Sequence, residues 1–76
     1  MIDMTNNVKL FMKSLSPKNF NEISEKILSL IKEPYPSECK YISGYIGYRK
    51  IDFKKYTISY IVQDKLVKIV LIDKNN

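Results

Sequence analysis

Apolar residues in the first half of the chain recur three and four positions apart, which is the spacing of one helix face. The first set is Val8, Phe11, Met12 and Leu15. The second set is Phe20, Ile23, Ile27, Leu30 and Ile31. Between the two sets, Ser16 suits an N-cap and Pro17 suits the first helical position, where its missing N–H costs nothing. The pattern predicts two helices, over residues 6–15 and 17–32, that meet at a bend and form a hairpin.

The second half of the chain has the composition and alternation of β-strands. Two prolines, Pro34 and Pro36, end the second helix, and from Tyr41 onward Ile, Val, Tyr and Phe dominate. We predict strands over residues 46–53, 56–62 and 66–72, joined by turns at 54–55 and 63–65. Three consecutive strands with short turns form an antiparallel meander.

The fold class that follows is α+β: one domain over residues 1–76, with the helical hairpin packed on one face of the meander. Residues 2–4 could supply a short N-terminal edge strand. Lys50 should face solvent. The residues expected to join helices and sheet are Phe11, Leu15, Phe20, Ile23, Ile27, Ile58, Tyr60 and Ile69.

The short length limits what the chain can contain. A domain of 76 residues buries only roughly 60% of its unfolded surface. A bound partner or a homo-oligomer would therefore be a natural source of further stability. No apolar run approaches the ~20 residues that span a bilayer, and the N-terminus does not have the pattern of a signal peptide. We expect a cytoplasmic protein that does not enter a membrane.

Most familiar catalytic groups are missing from the sequence. There is no His, which excludes a His general base and every triad built on one. Cys39 is the single cysteine, so a zinc site is not expected, and Gly44 and Gly47 are too few for a phosphate-cradling loop. The sequence predicts no metal and no cofactor.

The net charge of +5 lies entirely in the second half of the chain. Residues 1–39 contain five Lys and five Asp or Glu, whereas residues 40–76 contain eight Lys or Arg and three Asp. A one-sided basic excess is typical of proteins that bind a polyanion, either nucleic acid or an acidic protein. The alternative is an ordinary solvated, lysine-rich surface.

A basic and aromatic cluster lies within this half. Its members are Tyr48, Arg49, Lys50, Lys54, Lys55 and Tyr56. Cations of this kind neutralise phosphate, and tyrosine rings stack on bases. The alternative is that the tyrosines are sheet residues and that the lysines protect strand edges from aggregation.

Five segments resemble the RelE/ParE superfamily of toxins. They are the Leu-Ser-Pro bend at 15–17, Ile-Lys-Glu-Pro-Tyr-Pro at 31–36, the pair Tyr-Arg-Lys-Ile at 48–51 and Lys-Tyr-Thr-Ile-Ser-Tyr at 55–60, and the last strand at 66–72. The resemblance implies a toxin of a toxin–antitoxin system with an acidic antitoxin as its partner. RelE-like members cleave messenger RNA on the ribosome without a metal, whereas ParE-like members poison DNA gyrase.

The resemblance also implies roles for individual residues. Lys50, Arg49 and Tyr56 would be catalytic, with Tyr56 stacking on a base. Lys54, Lys55, Tyr48 and Lys74 would bind nucleic acid. Two positions that are usually basic differ here, since Thr57 replaces an Arg and Asp52 replaces another cation, and no Tyr follows Lys74. Three alternatives stay open: a metal-independent endoribonuclease, a gyrase-binding toxin, and an inactivated relative that only binds nucleic acid or an antitoxin.

Overall fold

Two helices lie on one face of a five-stranded sheet. A computed structural model describes residues 2–75. In chain order the elements are β1 (Ile2–Met4), α1 (Asn6–Lys13), α2 (Pro17–Lys32), β2 (Lys40–Tyr41), β3 (Tyr48–Phe53), β4 (Tyr56–Gln63) and β5 (Leu66–Lys74). Within residues 2–75, neither helix is long and apolar enough to cross a membrane.

The sheet contains the predicted meander and two additional edge strands. The strand order is β1-β5-β4-β3-β2, and β3, β4 and β5 pair antiparallel with their sequence neighbours. The edge strand expected at residues 2–4 is present, but it runs parallel to β5, with Ile2 opposite Val67. The sheet is therefore mixed, with one parallel pair and three antiparallel pairs among its described strands. The pattern did not predict β2, which is only two residues long.

Capping residues determine the bounds of the two helices. The Ser16 hydroxyl accepts a hydrogen bond from the Asn19 amide, so α2 begins at Pro17 as predicted. Helix α1 ends two residues earlier than predicted, because the Ser14 amide and hydroxyl both bond to the Phe11 carbonyl and tighten the last turn. Leu15 still packs against the core from the bend.

The core forms between the helices and one face of β3, β4 and β5. The residues expected there that are buried are Ile23, Ile27, Ile58, Tyr60 and Ile69. Phe11 and Leu15 are half-buried beside them. Phe20 was wrongly assigned to this set: it is 43% exposed and is not among the side chains packed against the core.

Tyr60 connects this core to the loop that follows α2. Its side chain is fully buried, and its phenol donates a hydrogen bond of 2.8 Å to the Pro34 carbonyl. Burial raises the pKa of the Tyr60 phenol, so the group stays a neutral donor. The hydrogen bond satisfies a polar atom that would otherwise be costly to bury.

The strand ends depend on residues with positive φ. Both predicted turns contain one, Lys54 and Asp64, each with φ of 55°. Strand β3 begins at Tyr48 rather than at residue 46, because Gly47 has φ of 83° and Ile46 is fully exposed in the preceding loop. The register between β4 and β5 shifts between Ser59 and Tyr60, which leaves Val70 as an extra residue on β5.

Adjacent residues of α2 give a stringent test of the helix face. Ile27 is 1% exposed and Leu28 is 56% exposed. Replacing Ile27 with Ala should lower the free energy of unfolding by about 2–5 kcal/mol, because it leaves a cavity against the sheet. Leu28→Ala should change it by less than about 0.5 kcal/mol. Urea unfolding of both variants measures the difference, and equal losses would show that α2 does not turn Ile27 toward the sheet.

Candidate nucleic-acid interface

Successive side chains of β3 and of β4 point to opposite faces of the sheet, so the predicted site residues are divided between the two faces. On β4, Tyr56, Ile58 and Tyr60 point toward the helices and are buried. Their register partners on β3, which include Arg49 opposite Tyr60, lie on the same face. Lys50 pairs with Ser59 and therefore lies on the opposite face, which neither α1 nor α2 covers. We call this second surface the open face.

A groove of about 600 Å³ runs across the open face. Residues from the loop before β3 and from three strands line it, among them Tyr45, Tyr48, Lys50, Leu71 and Lys74. Two residues expected to contact nucleic acid, Tyr48 and Lys50, thus lie along one groove. Lys74 borders the groove, but its register partner is Tyr56, so its side chain belongs to the helix-facing side of β5. Lys50 is exposed, as predicted, and its ammonium can reach a phosphate in the groove.

Arg49 lies on the helix-facing side, where it holds the loop after α2. Its guanidinium stacks between the rings of Tyr35 and Tyr41, at 4.3 and 4.1 Å from the two ring centroids. It also donates hydrogen bonds to the Tyr41 hydroxyl at 2.7 Å and to the Cys39 sulfur at 3.6 Å. Partial desolvation opposes the charge, but these hydrogen bonds raise the pKa of Arg49 overall. Both faces of the guanidinium are occupied, so Arg49 does not join Lys50 in one site.

Tyr56 is part of the core. Its side chain is 3% exposed, and its ring meets Phe11 edge to face, with 5.8 Å between ring centroids. A ring in this position cannot stack on a base. The structure therefore gives no support to the catalytic role expected for Tyr56.

The turn between β3 and β4 carries the remaining two lysines of the cluster. The Lys54 ammonium forms an ion pair with Glu22 on α2 and lowers the pKa of that carboxyl group. Lys55 is exposed, and its ammonium lies 5.8 Å from the centroid of the Tyr56 ring. Neither lysine lines the groove of the open face. Of the six residues in the sequence cluster, only Tyr48 and Lys50 therefore line the groove.

An acidic row crosses the open face beside Lys50. Asp52 and Asp73 are the register partners of Thr57 on its two sides. The Thr57 hydroxyl donates to Asp52 at 2.8 Å and accepts from the Asn75 side-chain amide, also at 2.8 Å. Within residues 2–75, no three His, Cys, Asp or Glu side chains are grouped so that they could hold a metal ion. The two carboxylates make the surface around Thr57 unfavourable for a phosphate.

Two residues of the interface were missed by sequence reasoning. Lys40 on β2 lies directly opposite Lys50, and Tyr45 stands at the groove wall, 63% exposed. Both precede the cluster by several residues. Only the strand register and the shape of the loop before β3 bring them beside Lys50, and neither is readable from hydrophobic periodicity.

Comparison with known proteins identifies the fold. No protein-family model and no curated protein sequence matches the chain. The isolated RelE toxin of E. coli matches its structure with a TM-score of 0.85 at 18% identity, covering 100% of this chain and 84% of that chain. The RelE–RelB complex of Pyrococcus horikoshii gives 0.83 at 21% identity, covering 99% and 93%. The E. coli RelBE toxin–antitoxin complex gives 0.82 at 18% identity, covering 100% and 96%. The chain has the RelE fold, and the predicted α+β architecture is confirmed.

The neighbours Arg49 and Lys50 should behave in opposite ways when truncated. Arg49→Ala removes the stack with Tyr35 and Tyr41 and should lower the melting temperature clearly. Lys50→Ala should shift it by less than roughly 3 °C, since the side chain is exposed. Thermal unfolding followed by circular dichroism measures both. A greater loss for Lys50 than for Arg49 would mean that the two faces have been assigned the wrong way round.

Proposed function

We propose that this chain is the toxin-like component of a toxin–antitoxin system, which inhibits translation by binding RNA on its open face. The observation that carries this proposal is the combination of the RelE fold with an exposed lysine, Lys50, on the sheet face that neither α1 nor α2 covers. The chain would act in the cytoplasm and would be held inactive by an antitoxin protein.

Charge and aromatic residues support RNA as the ligand. Lys50 can neutralise a phosphate, and Tyr48, two residues earlier on the same strand face, offers a partly exposed ring at the groove. Stacking on such rings requires unpaired bases, which messenger RNA in the ribosome provides. The net charge of +5 would also attract a polyanion at long range.

The acidic row favours binding over cleavage. In-line attack of a 2′-hydroxyl builds negative charge on the phosphate, and fixed cations stabilise that charge by a factor of roughly 100–1000 each. Here Thr57 stands between Asp52 and Asp73, where a cation would be needed. The two carboxylates would instead destabilise the developing charge. We infer that the chain inhibits translation mainly by occupying RNA, with weak cleavage or none.

A separate groove on the helix side suits an acidic antitoxin segment. It has a volume of about 430 Å³ and is bordered by Met4, Met12 and Phe20, with Lys9 and Lys13 also at its border. An amphipathic segment with carboxylates could bury its apolar face there and pair with these lysines. Two of the solved structures that share the fold are RelE–RelB complexes, in which the toxin is bound to its antitoxin. The structures named above are RelE toxins, which supports the RelE-like alternative over gyrase binding.

Induction of the chain in a bacterial host, together with a translation extract, tests this function. We expect growth arrest that co-expression of the neighbouring small open reading frame relieves. In the extract, protein synthesis should fall while a defined message stays largely intact. Lys50→Gln should weaken inhibition by about threefold to tenfold, because it removes one phosphate contact but leaves the fold intact. Lys65→Gln, in the turn between β4 and β5, is the matched control and should inhibit like the unmodified chain.

The same extract separates the remaining alternatives. Thr57→Arg alone should not restore cleavage, since the new guanidinium would be neutralised by Asp52 and Asp73. Asp52→Lys combined with Thr57→Arg should increase cleavage measurably. Strong codon-specific cleavage by the unmodified chain would contradict the role given to the acidic row. Growth arrest with normal protein synthesis would exclude translation as the target.

A further inference from the structure

Two lysines lie directly opposite each other on the open face. Lys40 on β2 and Lys50 on β3 are register partners, and side chains in such a pair lie roughly 4.5–5.5 Å apart at Cβ on the same side of the sheet. Both are exposed. The ion pairs found within residues 2–75 join Lys26 with Glu38 and Lys54 with Glu22, so neither includes this pair. Like charges in this arrangement destabilise a sheet, and an anion bound between them removes the repulsion.

An exposed aromatic ring stands beside these lysines. Tyr45 lies in the loop between β2 and β3, and it lines the same groove as Lys50. It meets Tyr48 edge to face, with 6.1 Å between ring centroids and an angle of 75° between ring planes. Amide hydrogen bonds from Tyr45 to the Ile42 carbonyl and from Tyr48 to the Tyr45 carbonyl hold the loop. The ring is therefore already positioned, and it is 63% exposed.

We propose that Lys40, Lys50 and Tyr45 form a subsite for one nucleotide of single-stranded RNA. The two ammonium groups hold a phosphate between β2 and β3, and the Tyr45 ring stacks on the adjoining base. Tyr48, which supports that ring, precedes Lys50 by two residues on the same strand face, which is roughly 6.6 Å. One nucleotide can bridge that separation between its phosphate and its base. This assignment rests on the proposed function and specifies where its RNA binds.

The composition of the subsite favours RNA over an acidic peptide. Peptide carboxylates would satisfy Lys40 and Lys50 but would leave the face of Tyr45 in water, whereas a nucleotide uses both groups. Asp52 lies two residues beyond Lys50 on the same face of β3, and Asp73 lies on the far side of Thr57, so both carboxylates disfavour a phosphate on that side of Lys50. A paired base cannot stack on the ring, so the ligand must be single-stranded.

The lysine pair is tested by the salt dependence of binding. The probe is a labelled oligoribonucleotide of about ten nucleotides, titrated with the full chain by fluorescence anisotropy at several salt concentrations. Lys40→Gln and Lys50→Gln should each reduce the slope of log K against log salt by about 0.7, and Lys65→Gln should leave it unchanged. Lys40→Gln should also raise the melting temperature, because it removes a like-charge contact. A lysine that only supports the fold would lower it instead.

The stacking role of Tyr45 is tested with an abasic oligomer of equal length. The unmodified chain should bind the normal oligomer more tightly than the abasic one. Tyr45→Ala should lose roughly tenfold in affinity for the normal oligomer and change little toward the abasic one. Tyr45→Phe should keep the preference, because the ring rather than the hydroxyl makes the contact.

Several results would overturn the subsite. They are an unchanged salt slope in Lys40→Gln, an unchanged base preference in Tyr45→Ala, and displacement of the oligomer by a polyglutamate peptide at lower concentration than by unlabelled RNA. If these occur while translation is still inhibited, the subsite fails and the proposed function stands. If RNA binds as described but translation is unaffected, the proposed function fails and the subsite stands. Absence of any RNA binding by the unmodified chain contradicts the subsite as well.

Discussion

The pairing of β3 with β4 is the constraint on which the rest of the molecule depends. Its register puts Ile51 opposite Ile58 and Lys50 opposite Ser59, and successive side chains of each strand point to opposite faces. The apolar set must meet the helices, because a domain this small has no other core to bury it in. Once that face is covered, the polar set has to lie on the open face. A slip of β3 by one residue would bury Lys50 and expose Ile51, so the same register determines both the fold and the interface.

The helix side of the sheet also holds part of the interface in place. Strand β2 has only two residues and could not be stable alone. Its position depends on the loop after α2, which the Tyr60 hydrogen bond to Pro34 and the stack around Arg49 tie to the sheet. The ion pair of Lys26 with Glu38, at 3.2 Å, adds a contact from α2 to the same loop. Residues that never reach the groove therefore determine where Lys40 stands.

Local signals made most of the fold predictable from sequence. Ser16 and Pro17 correctly predicted that α2 begins at Pro17, and the alternation of side chains along β4 predicted which of its faces is buried. The parallel pairing of β1, the strand β2 and the extra residue at Val70 were not predictable, because long-range register decides them and no local pattern encodes it. The site was predictable only in part for the same reason. Tyr56, Arg49 and Lys50 are close in sequence, yet the period of two separates Lys50 from the other two.

In our proposal the two faces of the sheet have different functions: the helices stabilise one face, and RNA binds to the other. The most direct test is an amide chemical-shift map of the isotopically labelled chain during titration with a short single-stranded RNA. We expect the shifts to concentrate on the open face, at Lys40, Tyr45, Tyr48, Lys50 and Ser59. The amides of α1 and α2 should stay unchanged. Shifts concentrated on the helices, or on the turn at Lys54 and Lys55, would contradict this proposal.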